Sequence, residues 1–121
     1  MKIWKTLGWF LAVFGAWEMV APWLLGYGSS PVAGQNIIFG VIWAAFGLWI
    51  ALTDNGAAVK WLGWLSVLAG AAAFLAPALG GAVGTAAFWN DMLVAFLVML
   101  LGIWAAFNAP NTPAPQPAAH H

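Results

Sequence analysis

Three lysines and three carboxylic acids are the only charged side chains in this sequence, and one of the acids stands where it costs most. Lys2, Lys5 and Lys60 are set against Glu18, Asp54 and Asp91. Glu18 interrupts an apolar run, Gly15-Ala16-Trp17-Glu18-Met19-Val20, about seven residues before that run ends. At 1.5 Å per helical residue the acid lies roughly 10 Å inside the segment. A charge in hydrocarbon is expensive, and an ionisable group inside a membrane span is a functional candidate by default. With no Lys or Arg near that end to neutralise it, the carboxyl is expected to be neutral or hydrogen-bonded. Pro22, four residues on, cannot donate to the carbonyl of residue 18, so the helix is expected to kink there and offer that carbonyl to a polar partner.

Asn90 and Asp91 stand at the head of the last apolar run, as Gln35 and Asn36 do in the second. Asn and Asp suit helix N-caps, where a carboxylate also meets the positive end of the helix dipole, and capping by itself accounts for their position. The sharper reading joins Glu18, Asn36, Asn90 and Asp91 in one buried polar cluster, with a tryptophan indole N–H as a further member.

Other chemistries lack their residues. There is no cysteine, and both histidines, His120 and His121, end a Pro- and Ala-rich tail where they are not read as a metal site. No histidine lies in the apolar runs to ligate haem or a chlorophyll-type pigment. No Ser/His pair, carboxylate–histidine metal cluster or glycine-rich phosphate loop is present, so no catalytic residue, metal or cofactor is assigned and an enzyme is not expected. The ten tryptophans leave room for a lipid, carotenoid or quinone between aromatic helices, although aromatic content alone more often means packing. Zero net charge with three basic residues argues against a nucleic-acid partner.

The elements that must position these groups follow from composition. Of 121 residues, 64% are hydrophobic and 5% charged, too few charges to cover a small water-soluble globule. Roughly 20 apolar residues cross a bilayer core, and four such runs occur: about Trp4 to Leu25, Asn36 to Thr53, Lys60 to Leu79 and Trp89 to Asn108. The first run is longer than a secretory h-region and reads as a retained helix. Turn-rich stretches separate the runs, at 26–31, 53–56 and around Gly80, Gly81 and Gly84.

A shift of 55 positions aligns the two halves without a gap. Lys5, Leu7, Gly8 and Trp9 fall on Lys60, Leu62, Gly63 and Trp64; Ala21-Pro22 falls on Ala76-Pro77; Gly47-Leu48-Trp49 falls on Gly102-Ile103-Trp104. Each copy holds two spans, so both enter the membrane in the same sense. The expected fold is all-α: an integral membrane four-helix bundle of two tandem same-orientation helical hairpins. Residues 1–56 form the first hairpin repeat, 57–108 the second, and 109–121 a flexible tail. Small residues at four-residue spacing are candidate close-packing stripes: Gly8, Ala12 and Ala16; Gly40 and Ala44; Gly47 and Ala51; Ala72 and Ala76. The lysines all fall at one end of such a bundle, so both termini are expected in the cytoplasm, with the bundle in a bacterial inner membrane. Trp4, Trp9, Trp49, Trp61, Trp64 and Trp104 would form the belt at that end and Trp23 and Trp89 the opposite one. Trp17 and Trp43 lie deeper, as packing or ligand-facing residues.

Two segments carry a family resemblance. Ala21-Pro22-Trp23-Leu24-Leu25-Gly26-Tyr27 resembles the Ser-Pro-Trp motif of the SPW-repeat family of small bacterial and archaeal membrane proteins, and Phe88-Trp89-Asn90-Asp91 resembles that family's Trp-Asn-Asp segment. The match spans about residues 5–107. Ala21 replaces the motif serine, the second copy reads Ala76-Pro77-Ala78, and Gly34-Gln35-Asn36 occupies the first copy's Trp-Asn-Asp position. Pro22, Trp23, Pro77 and Trp89 are therefore the motif residues. The resemblance implies the repeat architecture and no particular activity.

The expected role is that of a structural or accessory subunit, packing in the lipid bilayer against other membrane protein subunits or a second copy. The alternatives are a small proton-coupled transporter or channel using Glu18, or a bundle binding carotenoid, quinone or lipid. Four spans and an acid in the first are similar to the small multidrug resistance exporters, but the residues around Glu18 do not match that family's first-helix motif.

Overall fold

Helix boundaries follow local capping chemistry more closely than they follow hydropathy. The computed structural model describes residues 2–79 and 85–111, in four helices: α1 (Ile3–Leu24), α2 (Pro31–Leu52), α3 (Gly56–Leu79) and α4 (Ala86–Phe107). Each is long and apolar enough to cross a membrane. The loop glycines at 80–84, the side chain of Pro77, and the tail from 112 with His120 and His121 lie outside the described residues.

Three of the helices begin earlier than hydropathy alone places them. α2 opens at Pro31, whose fixed φ suits the first helical position, and Ser30 before it is extended (φ −85°, ψ 158°) as a pre-proline residue prefers. Asn36 therefore sits inside α2 instead of opening it. α3 opens at Gly56, where Asn55 Oδ1 accepts from the Ala58 N–H at 3.2 Å. α4 is capped by Thr85, whose Oγ1 accepts from the Phe88 N–H at 3.1 Å. That corrects the capping expectation for Asn90 and Asp91. The cap is already made one turn earlier, so both residues are free to act through their side chains inside the helix.

α1 continues through Pro22 to Leu24 and ends in a Schellman turn. The Tyr27 N–H returns to the Pro22 carbonyl at 2.7 Å and the Leu25 N–H to Ala21 at 2.8 Å, with Gly26 between them at φ +86°. Only glycine takes that left-handed conformation without strain, and the turn brings Tyr27 back over the helix end.

Within each hairpin the helices meet along a glycine seam. A methyl placed on Gly8 would lie 2.5 Å from the Ala51 backbone nitrogen, and one on Gly47 would lie 2.6 Å from the Gly8 carbonyl. Gly15 and Gly40 face each other in the same way, as do Gly63 and Gly102 in the second hairpin. With lipid outside, backbone approach through small residues is the main way helices gain contact. Two of the proposed stripes are corrected: Ala16 and Ala72 are exposed, and the seam runs instead through Gly15, Gly63, Gly70 and Gly102. Positions a heptad apart, Gly8 and Gly15, share a helix face that Ala16 does not.

α1 also packs on α4, and α2 on α3, closing a four-helix ring around a core that includes Leu11, Trp43, Ile50, Val59, Val94 and Val98. Trp43 is fully enclosed and stacks on Phe39, with ring centroids 5.6 Å apart. Its repeat equivalent is Val98, also buried, so a large and a small residue share the middle of the bundle. At the lysine end, Lys5 pairs with Asp54 at 3.0 Å and the Trp4 indole donates to the Thr53 carbonyl at 3.0 Å. Trp4 is therefore buried, at 7% exposure, and is no belt residue; Trp9, Trp49, Trp61, Trp64 and Trp104 are exposed as expected.

Candidate functional site

At the end opposite the lysines, polar side chains from three helices and one turn converge. Glu18 comes from α1, Asn36 from α2, Asn90 and Asp91 from α4, and Tyr27 from the turn that the Gly26 conformation creates. Glu18 and Asn36 are each 2% exposed and Asp91 is 6%. Helical spacing explains why these positions point inward: Gly15 and Glu18 share one face of α1, and Asp91, Val94, Ala95 and Val98 share one face of α4.

Asn90 is the hub. Its Oδ1 accepts from the Trp17 indole N–H at 2.8 Å, and its Nδ2 donates to Glu18 Oε1 at 2.8 Å, with the Tyr27 hydroxyl at 3.1 Å and Asp91 Oδ1 at 3.2 Å. An indole N–H only donates, so Trp17 fixes which way the amide faces: oxygen towards the ring, nitrogen towards the carboxyls. Two amide hydrogens serve three acceptors, so the shortest bond, to Glu18, takes one and the other two share the second. The Asn36 Nδ2 donates to the Tyr27 hydroxyl at 2.6 Å. Asp91 lies beside both the Asn36 amide and the Glu18 carboxyl.

The chemistry is that of a satisfied, low-dielectric network without a cation. Glu18 and Asp91 lie side by side with no lysine near them. The Tyr27 phenol sits above the ends of the spans. Partial burial, then the nearby Asp91 and Glu18 carboxyls, push it up from 10.0 to about 12.

The four residues proposed as a polar cluster thus lie together, and the indole proposed to join them is that of Trp17. Tyr27 was not assigned a role from sequence. Its signal was there: a lone tyrosine directly after a glycine that ends a proline-bearing helix. The other motif residues lie elsewhere. Pro22 is buried in α1, whereas Trp23 and Trp89 are 61% and 67% exposed. Among the described residues no group of His, Cys, Asp and Glu is arranged to hold a metal.

The leading helix of the second copy lacks the indole and the acid. Trp17 and Glu18 correspond to Ala72 and Ala73, while Gln35 and Asn36 correspond to Asn90 and Asp91. Asn36 and Asp91 are therefore equivalent positions that meet across the middle of the bundle, one an amide and the other an acid. The arrangement is that of a multi-pass membrane protein built from a duplicated helical hairpin. The chain matches the SPW repeat domain over residues 3–105 and belongs to that family. No curated protein and no solved structure matches it.

Proposed function

We propose that this chain is a non-catalytic packing subunit, a small bundle that associates through its lipid-facing surface with a helix of another membrane protein. One observation carries the reading. An apolar groove of about 610 Å³ runs between α1 and α4 at the lysine end, lined by Leu7, Phe10, Phe14, Leu97, Leu101 and Trp104. The polar groups at the other end face inward and bond one another, which leaves packing as the chemistry the outer surface offers. On this reading both termini are cytoplasmic and the host is a bacterial inner membrane. Photocrosslinking from a probe at Phe10 in native membranes, followed by gentle extraction, tests it. Recovery of one defined membrane partner is expected. A second copy as sole product would make the surface a self-association face, and recovery of an uncrosslinked monomer would contradict the reading.

A specific observation favours a second reading, a small proton-coupled carrier. The Glu18 and Asp91 carboxyls share a buried, cation-free site, and the Trp43 Nε1 and Ser66 Oγ are buried without a hydrogen-bond partner. Proton flux into proteoliposomes that disappears with Glu18→Gln supports the carrier; flux equal to protein-free vesicles excludes it.

A further inference from the structure

Comparison of the repeats at the lysine end shows a lysine whose equivalent partner position holds no acid. In the first hairpin Lys5 is held by Asp54 at 3.0 Å. The shift of 55 positions carries Lys5 onto Lys60 and Asp54 onto Ala109. The acid that pairs the first lysine is therefore a methyl group in the second copy. Among the described residues there is no replacement, since the other acids, Glu18 and Asp91, are bound into the cluster at the opposite end.

A pocket marks the place. Lys60 and Ala109 both line a cleft of about 660 Å³ between the start of α3 and the end of α4, with Trp61, Trp64 and Phe107 as its aromatic walls. Trp64 and Phe107 meet edge to face at 5.9 Å, which stiffens one wall. Trp61 is 69% exposed at a helix end, the level where indoles mark the boundary between hydrocarbon and headgroups. A cation at that level, beside aromatic rings and without an anionic partner among the described residues, matches a phosphodiester with acyl chains lying along the apolar helices.

We infer that the Lys60 pocket binds the headgroup phosphate of an anionic phospholipid, which takes the place that the Asp54 carboxylate fills in the first hairpin. The same charge chemistry would accept free phosphate, but the exposed indoles and the apolar helices below favour the lipid.

Native mass spectrometry of the full chain, supplied with equal phosphatidylglycerol and phosphatidylcholine, tests this. The wild type is expected to retain phosphatidylglycerol about fivefold over phosphatidylcholine, the factor for one lysine near a charged headgroup. Lys60→Gln should bring the ratio close to one. Ala109→Asp, which rebuilds the internal partner, should do the same while leaving the thermal midpoint unchanged or higher. Lys5→Gln should leave the preference intact. A wild-type ratio near one, a preference that survives both Lys60→Gln and Ala109→Asp, or equal loss with Lys5→Gln would each overturn the site. Full displacement of the lipid by inorganic phosphate would overturn its assignment to lipid.

Discussion

The two hairpins share a glycine seam and differ at both of its ends. In the first, Gly8, Gly15, Gly40 and Gly47 bring backbone against backbone, Lys5 and Trp4 tie α1 to the end of α2, and Glu18 and Trp17 reach across to α4. In the second, Val67 and Met99 stand at the positions of Ala12 and Ala44, Lys60 has no acid, and Ala72 and Ala73 replace the indole and the carboxyl. The shared part is what any such hairpin needs to close in lipid. The parts present in one copy only are where specific chemistry has been added, because the fold of the other copy does without them.

The sharpest test of that contrast is the same substitution in both seams. At Gly15 a new methyl meets the Ala44 backbone and the Gly40 carbonyl, neither of which can move alone. At Gly70 its nearest neighbour is Met99 Cγ at 2.6 Å, on a flexible side chain. Gly15→Ala should therefore cost about 3 kcal/mol and Gly70→Ala below about 1 kcal/mol, read by reversible unfolding in mixed micelles. Equal costs would break the distinction between the hairpins.

Next in size is the hub. Asn90→Ala strands the Trp17 indole and the Glu18 carboxyl and should cost about 2 kcal/mol in the same assay. Its repeat equivalent, Gln35, is exposed, and Gln35→Ala should stay within about 0.5 kcal/mol.

A smaller effect is carried by pH. Tyr27 is the only tyrosine, so its phenolate band can be followed directly. It should titrate near 12 in the folded protein and near 10 when unfolded. The folded value is the higher one, so this group's contribution to stability is complete below about pH 10 and is lost as pH rises towards about 12. Asp91→Asn should move the folded titration downward. Smallest of all, Asp54→Asn should cost less than about 1 kcal/mol, since Asp54 is 76% exposed and the pair is screened.

Hydropathy and the repeat made the four spans and their order legible, because a bilayer demands long apolar runs and a duplication repeats its punctuation. Helix starts were less legible: Pro31, Asn55 and Thr85 set them through capping, a signal weaker than the apolar runs beside it. Glu18 was conspicuous as a lone acid in hydrocarbon. Tyr27 was not, since its place in the cluster depends on the Gly26 turn, and a turn's direction in space is not written in hydropathy. The seam was half legible for a related reason. In so Ala- and Gly-rich a chain many four-residue spacings exist, and only the facing helix decides which are used.

The central claim is that Glu18 of the first hairpin and Asn90 of the second are directly coupled across the α1–α4 interface. A double-mutant cycle with Glu18→Ala and Asn90→Ala measures it. The structure predicts a coupling energy of about 1–2 kcal/mol, with the double variant less destabilised than the sum of the singles. Strict additivity would contradict the account.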